Sequence, residues 1–256
     1  MTEFSKRIAE AELGCVHLFS VGQAGFIIKS QTGQLLCIDL YLSDCVEQVE
    51  GNMGYKRLLP KILHPTDLIF DVIVSTHFHR DHFDEYSVPF MMSNNKSRLF
   101  ASFDCMNDVK SLEIDKARVV FVKPGDSFSI GDFALDFLYC DHGKAAPKAV
   151  GVSVRVGNKR IVEVGDTRLR LDRREHYLAH GPIDVLIAPI NGMFGNMNAR
   201  ECAELAGCLK PRMTIPCHYG MFASHMGLPG EFYEIMKKEY PSNAFLLMSL
   251  GEHLVL

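Results

Sequence analysis

The chain carries the sequence Ser75-Thr76-His77-Phe78-His79-Arg80-Asp81-His82-Phe83-Asp84 directly behind the run Asp71-Val72-Ile73-Val74. The run predicts a short buried strand. A strand that ends in His-x-His-x-Asp-His and then turns can bring three imidazoles and a carboxylate to one small volume. These groups suit zinc, and also iron, manganese or nickel. A chance cluster in a polar loop is the alternative in a chain with 11 histidines, but the ligand types and the spacing favour a metal site.

Length and composition predict one globular domain that spans residues 1–256. Single hydrophobic cores stop growing near ~250–300 residues, so the chain is long enough for one core and short for two. Hydrophobic residues make up 47% and charged residues 23% of the chain, which argues against disorder. The net charge of −4 provides no basic surface for a polyanion, so we expect no nucleic-acid partner.

The sequence predicts a cytoplasmic protein without a membrane partner. No apolar run approaches the roughly 18 residues that span a bilayer, and the first residues lead into a mixed-charge helix. The eight cysteines form no Cys-x-x-Cys pair and are typical of reduced, buried side chains.

Hydrophobic periodicity predicts alternating strands and helices along the chain. We expect strands at residues 16–21, 25–29, 35–40, 71–74, 99–102, 119–122, 133–139, 150–156, 160–164, 185–188 and 213–217, and helices at 2–13, 86–92, 105–112, 170–180 and 198–209. A last helix is expected to start near Pro229 and to stop before Pro241. Residues 46–66 contain two glycines and two prolines, and they are predicted as loop.

The histidine-rich segment resembles the signature of the metallo-β-lactamase superfamily, Thr-His-x-His-x-Asp-His. The resemblance implies three further ligands, which are His142 in Tyr139-Cys140-Asp141-His142-Gly143, Asp166 in Val162-Glu163-Val164-Gly165-Asp166-Thr167 and His218 in Ile215-Pro216-Cys217-His218-Tyr219-Gly220. It also implies an α/β fold, the metallo-β-lactamase αββα sandwich, with two mixed β-sheets flanked by helices. Weak internal similarity agrees with that fold, because two hairpin return strands end in aspartate, at Asp39 and at Asp166.

The resemblance implies two divalent metal ions, with Zn²⁺ as the first expectation and Mn²⁺ or Fe²⁺ as alternatives. It assigns His77, His79 and His142 to one ion, Asp81, His82 and His218 to the other, and Asp166 to both. A hydroxide between the ions would be the nucleophile, and Asp81 could also orient it. Because no Gly-x-Ser-x-Gly segment is present, no serine nucleophile competes with that chemistry.

Other polar residues are weaker candidates for the site. Asp39 and Asp84 could each accept a ring N–H from a ligand histidine, although Asp84 could equally be a cap or turn residue. His225 follows the last ligand on a loop, where it could contact substrate or deliver a proton. Tyr219, Asn191, Lys144, Lys148 and Arg168 are candidates for substrate contact, and surface solvation explains each of them equally well.

Within the superfamily the chain is similar to the L-ascorbate-6-phosphate lactonase-like metal-dependent hydrolases. The similar stretches include Val21-Gly22-Gln23-Ala24-Gly25-Phe26-Ile27-Ile28, Lys123-Pro124-Gly125-Asp126 and Pro216-Cys217-His218-Tyr219-Gly220-Met221-Phe222. This similarity implies a small-molecule substrate, a lactone of a sugar acid or sugar phosphate. A phosphodiesterase on the same two ions is the alternative, and a non-enzymatic binding protein is a further one. The sequence leaves open whether the protein forms a homo-oligomer.

Overall fold

The computed structural model describes residues 1–51, 54–225 and 227–256, with His225 described by its backbone alone. Within these ranges the chain forms two β-sheets with helices on their outer faces. No helix in this part of the chain has the length and apolar character needed to cross a membrane.

The first sheet has seven strands within the described residues. They are β1 (His17–Gly22), β2 (Gly25–Lys29), β3 (Leu35–Ile38), β4 (Val72–Ser75), β5 (Arg98–Ser102), β6 (Val119–Val122) and β13 (His253–Val255). Their order is β13-β1-β2-β3-β4-β5-β6. The strands from β13 to β3 pair antiparallel, and those from β3 to β6 pair parallel.

The second sheet has six strands in the same described part of the chain. They are β7 (Ser127–Ile130), β8 (Phe133–Tyr139), β9 (Val150–Val156), β10 (Lys159–Glu163), β11 (Val185–Pro189) and β12 (Met213–Cys217). Strands β7 to β10 pair antiparallel, whereas β10, β11 and β12 pair parallel. Each sheet therefore consists of an antiparallel meander followed by parallel strands, as two related halves require.

Helices cover the outer face of each sheet. They are α1 (Glu3–Glu10), α2 (Cys45–Glu50), α3 (Val88–Met91), α4 (Met106–Ser111), α5 (Arg174–Leu178), α6 (Ala199–Leu209) and α7 (Pro229–Glu239). Phe4 and Ile8 of α1 join one cluster with the first sheet, while Leu205 of α6 and Phe232 of α7 join another with the second. The predicted class, two mixed β-sheets flanked by helices, is confirmed.

Alternation along the strands divides the core into layers. In β1, Leu18 lies in the cluster between the two sheets, and its neighbour Phe19 lies in the cluster beneath α1. In β4, Val72 and Val74 face the other sheet and Ile73 faces the helices. Both faces of these strands are buried, which is why the strands read as continuous apolar runs.

Several short elements differ from the sequence prediction. Helix α2 begins at Cys45 and extends into the segment 46–66, which the sequence predicts as loop, and strands β7 and β13 were not predicted. Strand β7 lies at a sheet edge with alternate residues exposed, so its apolar signal is weak. Helix α1 ends at Glu10 and not at residue 13. The Lys29 ammonium group donates to the carbonyl oxygens of Ile8, Ala9 and Ala11 at 2.8–3.0 Å and so stabilises this helix end.

Candidate metal centre

The histidines and aspartates of the predicted site meet at the edge where parallel strands of both sheets end. His77 follows β4, Asp166 follows β10 and His218 follows β12. Side chains converge there because parallel strands that end at one edge place their following loops side by side. The motif loop and the loop that carries His142 complete the cluster.

Three histidines form the first group. The ligand atoms of His77, His79 and His142 lie within 4.8 Å of one another. Nε2 of His77 lies 2.9 Å from Nδ1 of His79, and Nε2 of His142 lies 3.2 Å from that same atom. Burial lowers the pKa of His77 well below its ordinary value and lowers the pKa of His142 to about 4. Both rings are therefore neutral near pH 7, which is the form of imidazole that binds a metal ion.

Asp81, His82 and His218 form the second group, again with ligand atoms within 4.8 Å of one another. Oδ2 of Asp81 lies 3.6 Å from Nε2 of His82 and 3.4 Å from Nε2 of His218. All three side chains are buried. Burial raises the pKa of Asp81, but His82 and His218 outweigh it, so the net pKa lies well below its usual range and the carboxylate is charged.

Asp166 lies between the two groups. Its Oδ2 atom is 3.1 Å from Nε2 of His218, 3.4 Å from Nε2 of His82 and 3.9 Å from Nε2 of His142. One carboxylate oxygen thus faces histidines of both groups. Buried imidazoles and carboxylates that converge in this way fit divalent metal ions, and they have the donor types that zinc, iron and manganese accept.

Asp39 holds two of the histidines in place. Nδ1 of His82 donates to Oδ2 of Asp39 at 2.6 Å, which leaves Nε2 of His82 to face the other aspartates. The Thr76 hydroxyl also donates to Oδ2 of Asp39, and it lies 3.1 Å from Nδ1 of His77. The backbone N–H of Thr76 donates to Oδ1 of Asp39 at 2.8 Å. Asp39 also groups geometrically with His77 and His82, but its oxygens already accept these hydrogen bonds.

Two carboxamides that the sequence analysis did not single out contact the aspartates. Gln23 Nε2 donates to Oδ2 of Asp81 at 2.8 Å, and the backbone carbonyl oxygen of Gln23 accepts from the backbone N–H of His218 at 2.8 Å. Asn196 Nδ2 donates to Oδ2 of Asp166 at 2.7 Å. Gln23 lies within residues 21–28, a stretch that is similar to the lactonase-like hydrolases, and this similarity is the one feature of the sequence that could have indicated its role. Nothing in the local sequence marks Asn196.

Asp84 accepts no hydrogen bond from a ligand histidine in the described structure, which corrects the first of its two interpretations. Its carboxylate accepts from the backbone N–H groups of Leu42 and Ser43 and from the Ser87 side chain, at 2.8 Å each. It also accepts from the backbone N–H of Tyr86 and Ser87 at 3.1 Å. Asp84 is therefore the turn residue of the second interpretation, and it ties the motif loop to the chain after β3.

Of the uncharged residues predicted to contact substrate, Asn191 lines a cavity at the site and Tyr219 does not. A cavity of about 290 Å³ opens above the clusters, and Asn191 lines it together with Asn196. Tyr219 does not line this cavity, because its hydroxyl donates to the Met248 carbonyl oxygen at 3.0 Å and its ring packs beneath α6 and α7. The side chain of His225 lies outside the described residues.

The three predicted cations lie on the protein surface and not in the described lining of the cavity. Lys144, Lys148 and Arg168 are all exposed. The Lys148 ammonium group lies 5.9 Å from the ring centre of Phe103. The structure therefore does not bring these three side chains to the metal centre.

Two mixed sheets between helical layers, with histidines and aspartates at the strand ends, define an αββα fold with a candidate metal centre. The model of the β-lactamase superfamily domain matches residues 17–218. The chain belongs to this superfamily, in its metallo-β-lactamase branch.

Proteins similar to this chain agree with that result. A UPF0173 metal-dependent hydrolase of Pyrococcus abyssi is 28% identical over 230 residues, which cover 84% of this chain and 90% of the relative. One from Anaeromyxobacter dehalogenans is 26% identical and covers 84% of this chain and 79% of its own length. The solved structure of the metallo hydrolase Igni18 from Ignicoccus hospitalis superposes with a TM-score of 0.72 at 20% identity, over 94% of this chain and 98% of the other. This last likeness supports the fold alone.

Proposed function

We propose that the protein is a metal-dependent hydrolase that opens a lactone or a related ester of a small molecule. One observation carries this proposal. Two groups of potential metal ligands lie beneath an open cavity, and Asp166 lies between them. The relatives that are named metal-dependent hydrolases support it.

Seven side chains would hold two divalent ions. His77, His79 and His142 would bind the first ion, Asp81, His82 and His218 the second, and Asp166 both. Bound ions would supply Lewis acidity that polarises a carbonyl group and lowers the pKa of water at the site. We expect Zn²⁺ because imidazoles predominate, and Mn²⁺ or Fe²⁺ remain compatible with the two carboxylates.

The protein's own groups would orient the reactants. Asp81 lines the cavity, and its carboxylate can accept a proton of the attacking water. Asn191 also lines the cavity, and its side-chain amide N–H can donate to the carbonyl oxygen of the substrate. Its position supports this role, since it follows β11 by two residues, as His77 follows β4.

Hydrolysis of a lactone is balanced by one water molecule. The water oxygen bonds to the carbonyl carbon, and the bond between that carbon and the ring oxygen breaks. One proton of the water goes to the departing oxygen, which gives an open hydroxy acid. His225 remains a candidate for delivering that proton, as the sequence analysis proposed.

Parallel panels of lactones and phosphodiesters, assayed with the metal-loaded protein, test the proposal. We expect turnover of lactones and little turnover of diesters. Hydrolysis of diesters with every lactone untouched would replace the lactonase by a phosphodiesterase. Loss of activity on chelation, with recovery on adding Zn²⁺ or Mn²⁺, checks the metal requirement separately.

We further propose that the protein acts in the cytoplasm on small molecules and without a nucleic-acid or membrane partner.

A further inference from the structure

We infer that the cavity selects an uncharged carbonyl compound that carries an aromatic or other apolar group, and that it disfavours a phosphorylated one. This inference rests on the proposed hydrolase function of the same site. Three observations lead to it, which are the apolar walls, the pairing of the charged groups in the lining, and a buried amide that has no hydrogen-bond partner among the described residues.

Apolar side chains from three separate segments form the walls of the cavity. Val46 comes from α2, Phe78 from the motif loop and Phe194 from the loop after β11, and Tyr55 adds a further ring. Phe194 is 53% exposed, and its backbone adopts the left-handed conformation with φ 55°. Such an exposed ring at a cavity rim gains free energy when an apolar group covers it, at roughly 25 cal/mol per Å² of buried area.

Apart from the two divalent ions that the proposed function assigns to the substrate carbonyl and the attacking water, the described lining of the cavity offers no unpaired cation for a phosphate. Arg80 is the one residue with a permanent positive charge among the described residues that line the cavity. Its Nη1 atom lies 2.9 Å from Oε1 of Glu50, and its Nε atom lies 3.1 Å from Oε1 of Glu85. One guanidinium and two carboxylates together carry a net negative charge, and one of these carboxylates, Glu50, lines the cavity. A phosphate would therefore meet a paired guanidinium and an unfavourable carboxylate.

The remaining polar surface is neutral. Asn191 is 5% exposed, and neither its Oδ1 nor its Nδ2 atom has a hydrogen-bond partner within the described residues. A buried amide without partners costs free energy, which a ligand that accepts from Nδ2 and donates to Oδ1 recovers. A lactone carbonyl oxygen accepts from Nδ2, and the N–H of an amide group next to it donates to Oδ1, without adding charge.

A matched substrate series tests the inference on the metal-loaded protein. Three lactones with the same ring would carry a benzyl group, a hydroxymethyl group or a phosphorylated hydroxymethyl group. We expect kcat/KM to be highest for the benzyl lactone, by about tenfold or more over the hydroxymethyl lactone, and lowest for the phosphorylated one. A phosphorylated lactone that matched or exceeded the benzyl lactone would overturn the inference and leave the hydrolase function in place.

Substitutions in the cavity wall test which side chain produces the preference for an apolar substrate. Phe194→Ala should raise KM for the benzyl lactone by about tenfold with little change for the hydroxymethyl lactone, because the lost contact is one of binding. Phe90→Ala is the matched control, since Phe90 is 58% exposed on α3 and does not line this cavity. Equal effects of the two variants would contradict the role of the aromatic wall.

Binding measurements separate this inference from the proposed reaction. If the protein hydrolyses no member of the series, the proposed lactonase function fails. Saturation-transfer NMR with the corresponding stable lactams then still decides the preference of the cavity. Stronger binding of the benzyl lactam than of the phosphorylated lactam, weakened in Phe194→Ala, supports the inference, and the reverse order overturns it.

Discussion

Nδ1 of His82 donates to Oδ2 of Asp39 at 2.6 Å, and both side chains are buried. The other ring nitrogen of His82 lies 3.4 Å from Oδ2 of Asp166. Asp39 follows β3 of the first sheet and Asp166 follows β10 of the second, so one imidazole lies between the aspartates that end equivalent strands of the two halves. The two halves of the fold therefore meet at this histidine.

Asp39→Ala should weaken metal binding by roughly 10- to 100-fold, because Asp39 fixes the ring of His82 and, through Thr76, the ring of His77. Competition with a chelator of known affinity measures this change on folded protein. Asp84→Ala is the matched control. It removes a buried carboxylate that accepts from the turn and from the chain after β3 but from no ligand histidine in the described structure, so we expect a stability loss of about 1–3 kcal/mol with unchanged metal affinity. Equal metal affinities in the two variants would remove Asp39 from its proposed role.

Gln23→Ala should weaken the second ion selectively. The side-chain Nε2 of Gln23 donates to Oδ2 of Asp81 at 2.8 Å and lies 3.2 Å from Nε2 of His218, so this side chain contacts two members of that group from different sheets. We expect an about tenfold or greater loss of affinity for the weaker-bound ion and little change for the other, measured by calorimetric titration. Gln34→Ala is the control, because Gln34 accepts from the backbone N–H of Asp132, away from the metal centre. Two unchanged affinities in Gln23→Ala would contradict this prediction.

The sequence predicted the elements whose signal is local. The motif after β4 and the long apolar strands were predicted within a few residues, since spacing and alternation reside in neighbouring positions. Strand β13 has three residues and depends on pairing with β1, which no local pattern shows. Gln23 and Asn196 were missed for the same reason, because each reaches its aspartate across the fold. The lactonase subtype, the single domain and the identity of the ions remain predictions.

The surface positions of the three charged loop residues differ from the prediction for another reason. Lys144, Lys148 and Arg168 follow proposed ligands in the sequence, but adjacency on a loop does not fix the direction of a long side chain. All three are exposed and lie outside the described lining of the cavity. Asn191 was an equally weak candidate, and it lines the cavity because it lies two residues after the end of β11.

Asp166→Ala should be more damaging than His225→Ala. The carboxylate of Asp166 faces His142 of one group and His82 and His218 of the other, whereas His225 would at most assist the substrate or a proton. We expect Asp166→Ala to lose the second ion first and to lose most activity, and His225→Ala to keep both ions. Elemental analysis and turnover of both variants check this. An Asp166→Ala protein with two ions and a near-normal rate would remove Asp166 from the centre.

Glu163 ends β10 and points between the sheets, where it is 1% exposed. Neither carboxylate oxygen has a hydrogen-bond partner in the described part of the chain. Burial, and then the nearby charge of Asp39, raises the pKa of Glu163 well above its ordinary value of 4.5. The folded protein therefore keeps a proton that the unfolded chain releases once the pH exceeds that ordinary value. Stability from this group is present at low pH and is lost as the pH rises toward the raised pKa.

Glu163→Gln should remove this pH dependence, because the amide has the same shape and does not titrate. Relative to the variant, the free energy of unfolding of the wild type should fall by up to about 1.4 kcal/mol per pH unit as the pH rises from the ordinary pKa of 4.5 toward the raised pKa of the folded protein. Urea unfolding of chelator-treated protein across that range measures the difference. Glu10→Gln, an exposed position of α1, is the control and should keep the wild-type slope. If Glu163→Gln and the wild type show the same slope, Glu163 is ionised in the folded protein and the proposed cause of its raised pKa is wrong.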